Sequence, residues 1–218
     1  EYMNKEWSEL NKKIKSLLCK KESFHVGIQK LIDFRKTLLN EWFISMKDLS
    51  IEDYSRQPFL NSNGYESKTI AYSIYHVFRI EDIILNTLIR KKEQIFLKDD
   101  YKNKMNSSII TTGNELKKEK IALFSKTLII DELWSYAKKV FEETNQWLLT
   151  ISYNDLKTKY NELDKERILS TNTVFEDEKW LVEYWCRKNV KGLIEMPFSR
   201  HWIMHIEASL RIKKNIKF

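Results

Sequence analysis

Four histidines stand in the chain, at positions 25, 76, 201 and 205, and two of them fall four residues apart in SRHWIMHIEASLRI, residues 199–212. On a helix, residues i and i+4 share a face with Cβ atoms about 5–6 Å apart, so His201 and His205 can aim ring nitrogens at one ion. A neutral imidazole offers one lone pair, which suits zinc and equally nickel, iron or copper. Two ligands alone do not make a site, and a pair of partly buried rings satisfied by hydrogen bonds is the commoner outcome. Ser199 adds weight: as an N-cap it puts His201 in the first turn, where the helix dipole opposes ring protonation. The third ligand has to come from His25, near the start of a long helix, or from His76, inside the most apolar one.

Those rings have to be held by helices. With 218 residues, 42% hydrophobic, the chain can bury a sizeable core, and only four glycines and two prolines leave little punctuation for hairpins. The expected fold is all-α, with residues 1–218 as a single domain and residues 1–22 as a peripheral N-terminal helix striped by Trp7, Leu10, Ile14, Leu17 and Leu18. Ser23 is expected to cap a long second helix whose stripe runs Ile28, Leu31, Ile32, Leu38, Leu39, Trp42. Pro58 and the Asn63-Gly64 pair predict a loop. Ser67 is then expected to cap SKTIAYSIYHVFRIEDIILNTLIRKK, which places Ile70, Ile74, Val77, Phe78, Leu85 and Leu88 on one face and His76 on another, with Ser73, Ile80, Ile83 and Thr87.

Residues 97–118 are polar, turn-like and long for a connection, which makes them a candidate flap. A further helix is expected from near Asp131, its stripe carried by Leu133, Ala137, Val140, Phe141, Trp147, Leu148 and Ile151. Residues 154–168 predict a charged, exposed helical excursion. DEKWLVEYWCRKNV predicts a helix ended by Gly192, and Ser199 is expected to cap the last helix with Pro197 outside it.

Glu81 falls in the middle of an apolar face, where a carboxylate must be paired or hydrogen-bonded. Arg79 lies on a different arc, so the expectation is a structural role, accepting hydrogen bonds from another helix, rather than a general base. Glu207 points away from the histidine pair.

Charge and cysteine content exclude several classes. Lys plus Arg number 38 against 31 Asp plus Glu, for a formal charge of +7, but the basic residues are scattered on amphipathic segments, and no glycine-rich phosphate loop is present. No nucleic-acid partner is expected. Cys19 and Cys186 form no CxxC pair, which fits a reducing compartment. No apolar run is long enough for a bilayer, and EYMNKEWSELNKK lacks the apolar stretch of a signal peptide, so the expected location is cytoplasmic with no membrane partner. Met3 is a candidate start residue.

Taken in order, TIAYSIYHVFRIEDIILN, TTGNEL, LVEYWCRKNVKGLIEMP and SRHWIMHIEASLRIK resemble the DinB-like superfamily, also called YfiT-like, of four-helix-bundle metalloproteins, over most of the chain from about residue 24. The resemblance implies a four-helix bundle with an extra N-terminal helix and additional short helices. It implies a three-histidine site in which His76, in its H-x-x-R-x-E-D context, joins His201 and His205, while His25 is a surface or capping residue. It also implies a divalent metal ion, zinc or nickel foremost, a low-molecular-weight thiol cofactor such as bacillithiol, mycothiol or glutathione, and a homodimer. Three imidazoles leave a coordination position open, where a bound ion can activate water or hold a thiol as thiolate. The expected function is a metal-dependent S-transferase or hydrolase acting on a small-molecule substrate; the alternative is a non-catalytic binding or assembly module with a structural ion or none. Tyr72, Tyr75 and Trp202, with Trp185, are candidates to line a pocket above the ion, against their commoner use as filler between helices. No residue is assigned a catalytic role.

Overall fold

Apolar residues at three- and four-residue intervals give a helix one face that another element has to cover. The computed structural model describes residues 4–216, so Met3 lies outside the described residues; these contain helices and no strand. The α-helices in chain order are α1 (Lys5–Leu18), α2 (Phe24–Met46), α3 (Ile51–Tyr54), α4 (Ile70–Asp82), α5 (Ile95–Lys98), α6 (Tyr101–Lys104), α7 (Glu119–Lys126), α8 (Ile130–Leu148), α9 (Glu162–Ser170), α10 (Trp180–Cys186), α11 (Val190–Glu195) and α12 (His201–Ile216).

Four of these surround a common interior: α2 and α4 each pack against both α8 and α12. α1 lies along α2, and α9 packs on α10. The stripe of α2 buries Ile28, Leu31, Leu38 and Trp42, each such side chain stabilising the fold by about 1.5–3 kcal/mol. Every residue of α4 is buried, as befits the most apolar segment.

The interior also holds a fully buried ion pair. Arg35 of α2 meets Glu81 of α4 with Nη2 2.5 Å from Oε1, both side chains wholly inaccessible. The same carboxylate accepts from Thr144 Oγ1 of α8 at 2.7 Å and from Trp202 Nε1 of α12 at 2.7 Å. One carboxylate thereby ties together all four long helices. The expected structural role of Glu81 is the observed one, with its cation supplied by Arg35.

Local corrections concern helix ends. Thr69, not Ser67, caps α4, its hydroxyl accepting from the Tyr72 N–H at 3.0 Å; Ser67 lies in a 3-10 turn one step earlier. α4 continues as a π-helical segment, Ile83–Ile89. Gly192 does not end a helix: α10 stops at Cys186, and Gly192 sits in the first turn of α11, its N–H bound by Asn189 Oδ1. Pro197 does lie outside α12, but Ser199 does not cap that helix. Pro197 lacks an N–H and so breaks the regular ladder, but the widened turn Met196–Arg200 absorbs the irregularity and runs α11 directly into α12. Ser199 Oγ donates backward to the carbonyls of Ile194 and Glu195 rather than capping. The stretch expected to be irregular between residues 97 and 118 carries the short helix α6, and the helix α7 follows it.

Candidate metal centre

His76 projects from the middle of α4, and His201 and His205 from the first two turns of α12, a helix that packs along α4. Their ring centroids are 5.3 Å (76 to 201), 5.4 Å (76 to 205) and 4.7 Å (201 to 205) apart. One nitrogen from each ring lies within 4.8 Å of the others, and all three residues are buried. Two nitrogens bound to one zinc ion at about 2.1 Å can be at most about 4.2 Å apart. In tetrahedral geometry they stand about 3.4 Å apart, so a pair at 4.8 Å has to close by about 1.4 Å when an ion binds.

Hydrogen bonds select the free nitrogen. His76 Nδ1 lies 2.8 Å from the Thr112 carbonyl. A carbonyl only accepts, so Nδ1 carries the proton and Nε2 keeps the lone pair. His205 Nδ1 lies 2.9 Å from Ser73 Oγ, one turn before His76 on α4. His205 Nε2 and His201 Nδ1 are buried and have no hydrogen-bond partner. An unsatisfied buried polar atom costs about 1–3 kcal/mol, and a divalent ion accepting lone pairs removes that cost. The donor set is neutral nitrogen, which suits zinc and nickel among others.

Burial keeps the rings unprotonated. It pushes His76 down to about 4, against the opposing pull of the Thr112 hydrogen bond. His201 and His205 are driven well below the ordinary imidazole value, first by burial and then by the neighbouring histidines. Since α12 continues α11 without a free end, the dipole argument from Ser199 does not apply, and desolvation does the work assigned to it.

The connection after α6 closes over this centre. Five successive carbonyls, from Ile109 to Gly113, accept hydrogen bonds from α4: Tyr75 Oη serves Ile109 and Thr111, Arg79 serves Ile110, His76 serves Thr112 and Tyr72 Oη serves Gly113. Residues 72, 75, 76 and 79 are spaced as one helical face, and a half-buried loop has to place its backbone carbonyls somewhere. This strap fixes the His76 ring and explains the polar tips on an otherwise apolar helix.

Of the sequence-predicted pocket residues, Tyr72 stacks on His76 with centroids 5.3 Å apart and planes 12° apart. Tyr75 and Tyr72 both spend their hydroxyls on the strap. Trp202 is turned into the interior, against Phe78 and the Arg35 guanidinium, and is not brought to the histidines. Trp185 is buried in α10. His25 is exposed and leans on Phe24, apart from the other three. Tyr65 escaped sequence reasoning: its ring meets His205 edge-on at 4.8 Å. It opens a single 3-10 turn, in a stretch with no periodicity to mark it. Ser73 and Arg35 were also missed as partners, although Arg35 interrupts the α2 stripe between Leu31 and Leu38 and is the natural counter-charge for Glu81.

Among known proteins, no protein-family model matches the chain and no curated sequence matches it.

Proposed function

We propose that the chain is a DinB-like metalloprotein whose His76, His201 and His205 hold a divalent ion, zinc or nickel, and that it is a thiol-dependent S-transferase or hydrolase acting on a small molecule in the cytoplasm. The observation that carries this is the buried trio itself, with two of its nitrogens lacking any partner. Four long helices around one interior, and a histidine on α4 facing a pair on α12, support the bundle of that superfamily. A homodimer belongs to the same proposal; nucleic acid and membrane do not. No helix among the described residues is long and apolar enough to cross a membrane.

When bound, such an ion lowers the pKa of a coordinated water toward neutrality or stabilises a thiolate. The chain's own contribution is positional. Thr112 and Ser73 hold the outer nitrogens of His76 and His205, as the second layer around a metal generally does. Tyr65 packs edge-on against His205 and Tyr72 stacks on His76, which steadies both rings.

Deep burial of all three rings favours a second proposal, a structural ion in a non-catalytic module. Chelation separates the two: a catalytic ion leaves with little change in thermal stability, whereas a structural one takes much of the fold with it. Elemental analysis tests the shared premise. About one divalent ion per chain is expected, with loss of that ion in His205→Ala; equal metal content in parent and variant refutes it.

A further inference from the structure

Next to the histidines lies a cleft of about 390 Å³, between the loop of residues 60–68 and the approach to α7. It is lined by Lys68, Lys117 and Lys118 together with Tyr65, and by no acidic residue. Two contacts join its lining to the metal centre. Tyr65 forms its wall and touches His205, and the Lys68 ammonium sits 5.7 Å from the centroid of the Tyr72 ring that stacks on His76.

Backbone contacts bring together the segments that carry Lys68 and Lys118. Gln57 Nε2 donates to the Ser67 carbonyl at 2.8 Å and to the Lys118 carbonyl at 3.0 Å, pinning the two walls together. Lys118 is held at a φ of 51°, a conformation that a non-glycine residue keeps only where its surroundings enforce it. Lys117 has Glu178 at 3.5 Å, but no ion pair to Lys68 or Lys118 is present among the described residues. Glu66, the acid of the same loop, is turned to Ser62 at 3.0 Å and Arg211 at 3.8 Å. Half-buried Lys68 is thus desolvated and lies near two like charges, which together lower its affinity for a proton. An arriving anion would relieve both penalties.

We infer that this cleft receives the oxyanion, carboxylate or phosphate, of a small-molecule substrate whose reacting end lies at the three histidines, with Lys68 as its principal contact. The inference rests on the metal proposal above and adds the substrate class. It is tested on the full chain loaded with cobalt(II), using the thiolate-to-cobalt absorption band to titrate mercaptopropionate, mercaptoethylphosphonate and mercaptoethanol. At least one anionic thiol should bind about tenfold more tightly than the neutral one, as a single charge-assisted contact warrants, and added salt should narrow the gap. Which anion gains more distinguishes carboxylate from phosphate. Lys68→Met, which keeps the side-chain stem, should abolish most of the preference while leaving mercaptoethanol unchanged. Equal affinities in the parent, or an undiminished preference in Lys68→Met, overturn the inference alone. Failure to bind cobalt overturns the metal proposal and this inference with it.

Discussion

Replacing Glu81 by Ala should be among the most damaging single changes in the chain. Arg35 and Glu81 are both wholly inaccessible, so removing the carboxylate leaves a buried guanidinium whose hydrogen-bond acceptors are the Phe198 carbonyl (2.6 Å) and Asn145 Oδ1 (2.9 Å), with no counter-charge. Breaking one side of such a pair costs about 3–5 kcal/mol. Trp202 Nε1 loses its acceptor as well, adding about 1 kcal/mol, whereas Thr144 keeps the Val140 carbonyl. The expected loss is about 4–6 kcal/mol, comparable to the whole stability of many domains. Urea unfolding followed by far-UV circular dichroism should show it as a fall in midpoint at constant slope. The double variant Arg35→Met, Glu81→Leu removes both charges and should lose less than Glu81→Ala alone. A single-variant loss under about 1 kcal/mol, or a double variant worse than the single, would refute a buried charge as the source.

Two further outcomes follow from particular contacts. Gly113 has φ +79°, and a Cβ there would lie 3.2 Å from Tyr72 Cε2, so Gly113→Ala should cost more than about 1 kcal/mol and loosen the strap that holds His76. Metal affinity, measured by chelator competition, should fall about tenfold; parental stability and affinity would contradict this. Burial raises the Tyr54 hydroxyl to about 12, against an unfolded value near 10. Its stabilisation is therefore complete below about pH 10 and lost as pH rises toward 12, worth about 2–3 kcal/mol. Tyr54→Phe, monitored by denaturant midpoint against pH, should decline less steeply than the parent over that window; identical slopes would count against it.

Much of this fold was legible because helical periodicity is a long-range average. The stripes of α2 and α8 and the apolar character of α4 come through without knowing any neighbour. Helix ends did not, because they are decided by single contacts. Ser67 and Thr69 are equally good caps on paper, and only the Tyr72 N–H chooses Thr69. Pro197 reads as a boundary until a widened turn absorbs it. The histidine pair was visible in its spacing, but the juxtaposition with His76 depends on how α4 and α12 pack, about 125 residues apart in sequence and beyond what periodicity can report. The strap illustrates the same limit. Tyr72, Tyr75, His76 and Arg79 share a face that the sequence displays, yet what they bind is a loop with no pattern of its own.

X-ray absorption at the edge of the metal found in the purified protein tests the central claim most directly. Imidazole scattering from three nitrogens at about 2.0–2.1 Å, reduced to two in His76→Ala, is the expected result. A shell without histidine scattering, or one unaltered by that substitution, would contradict it.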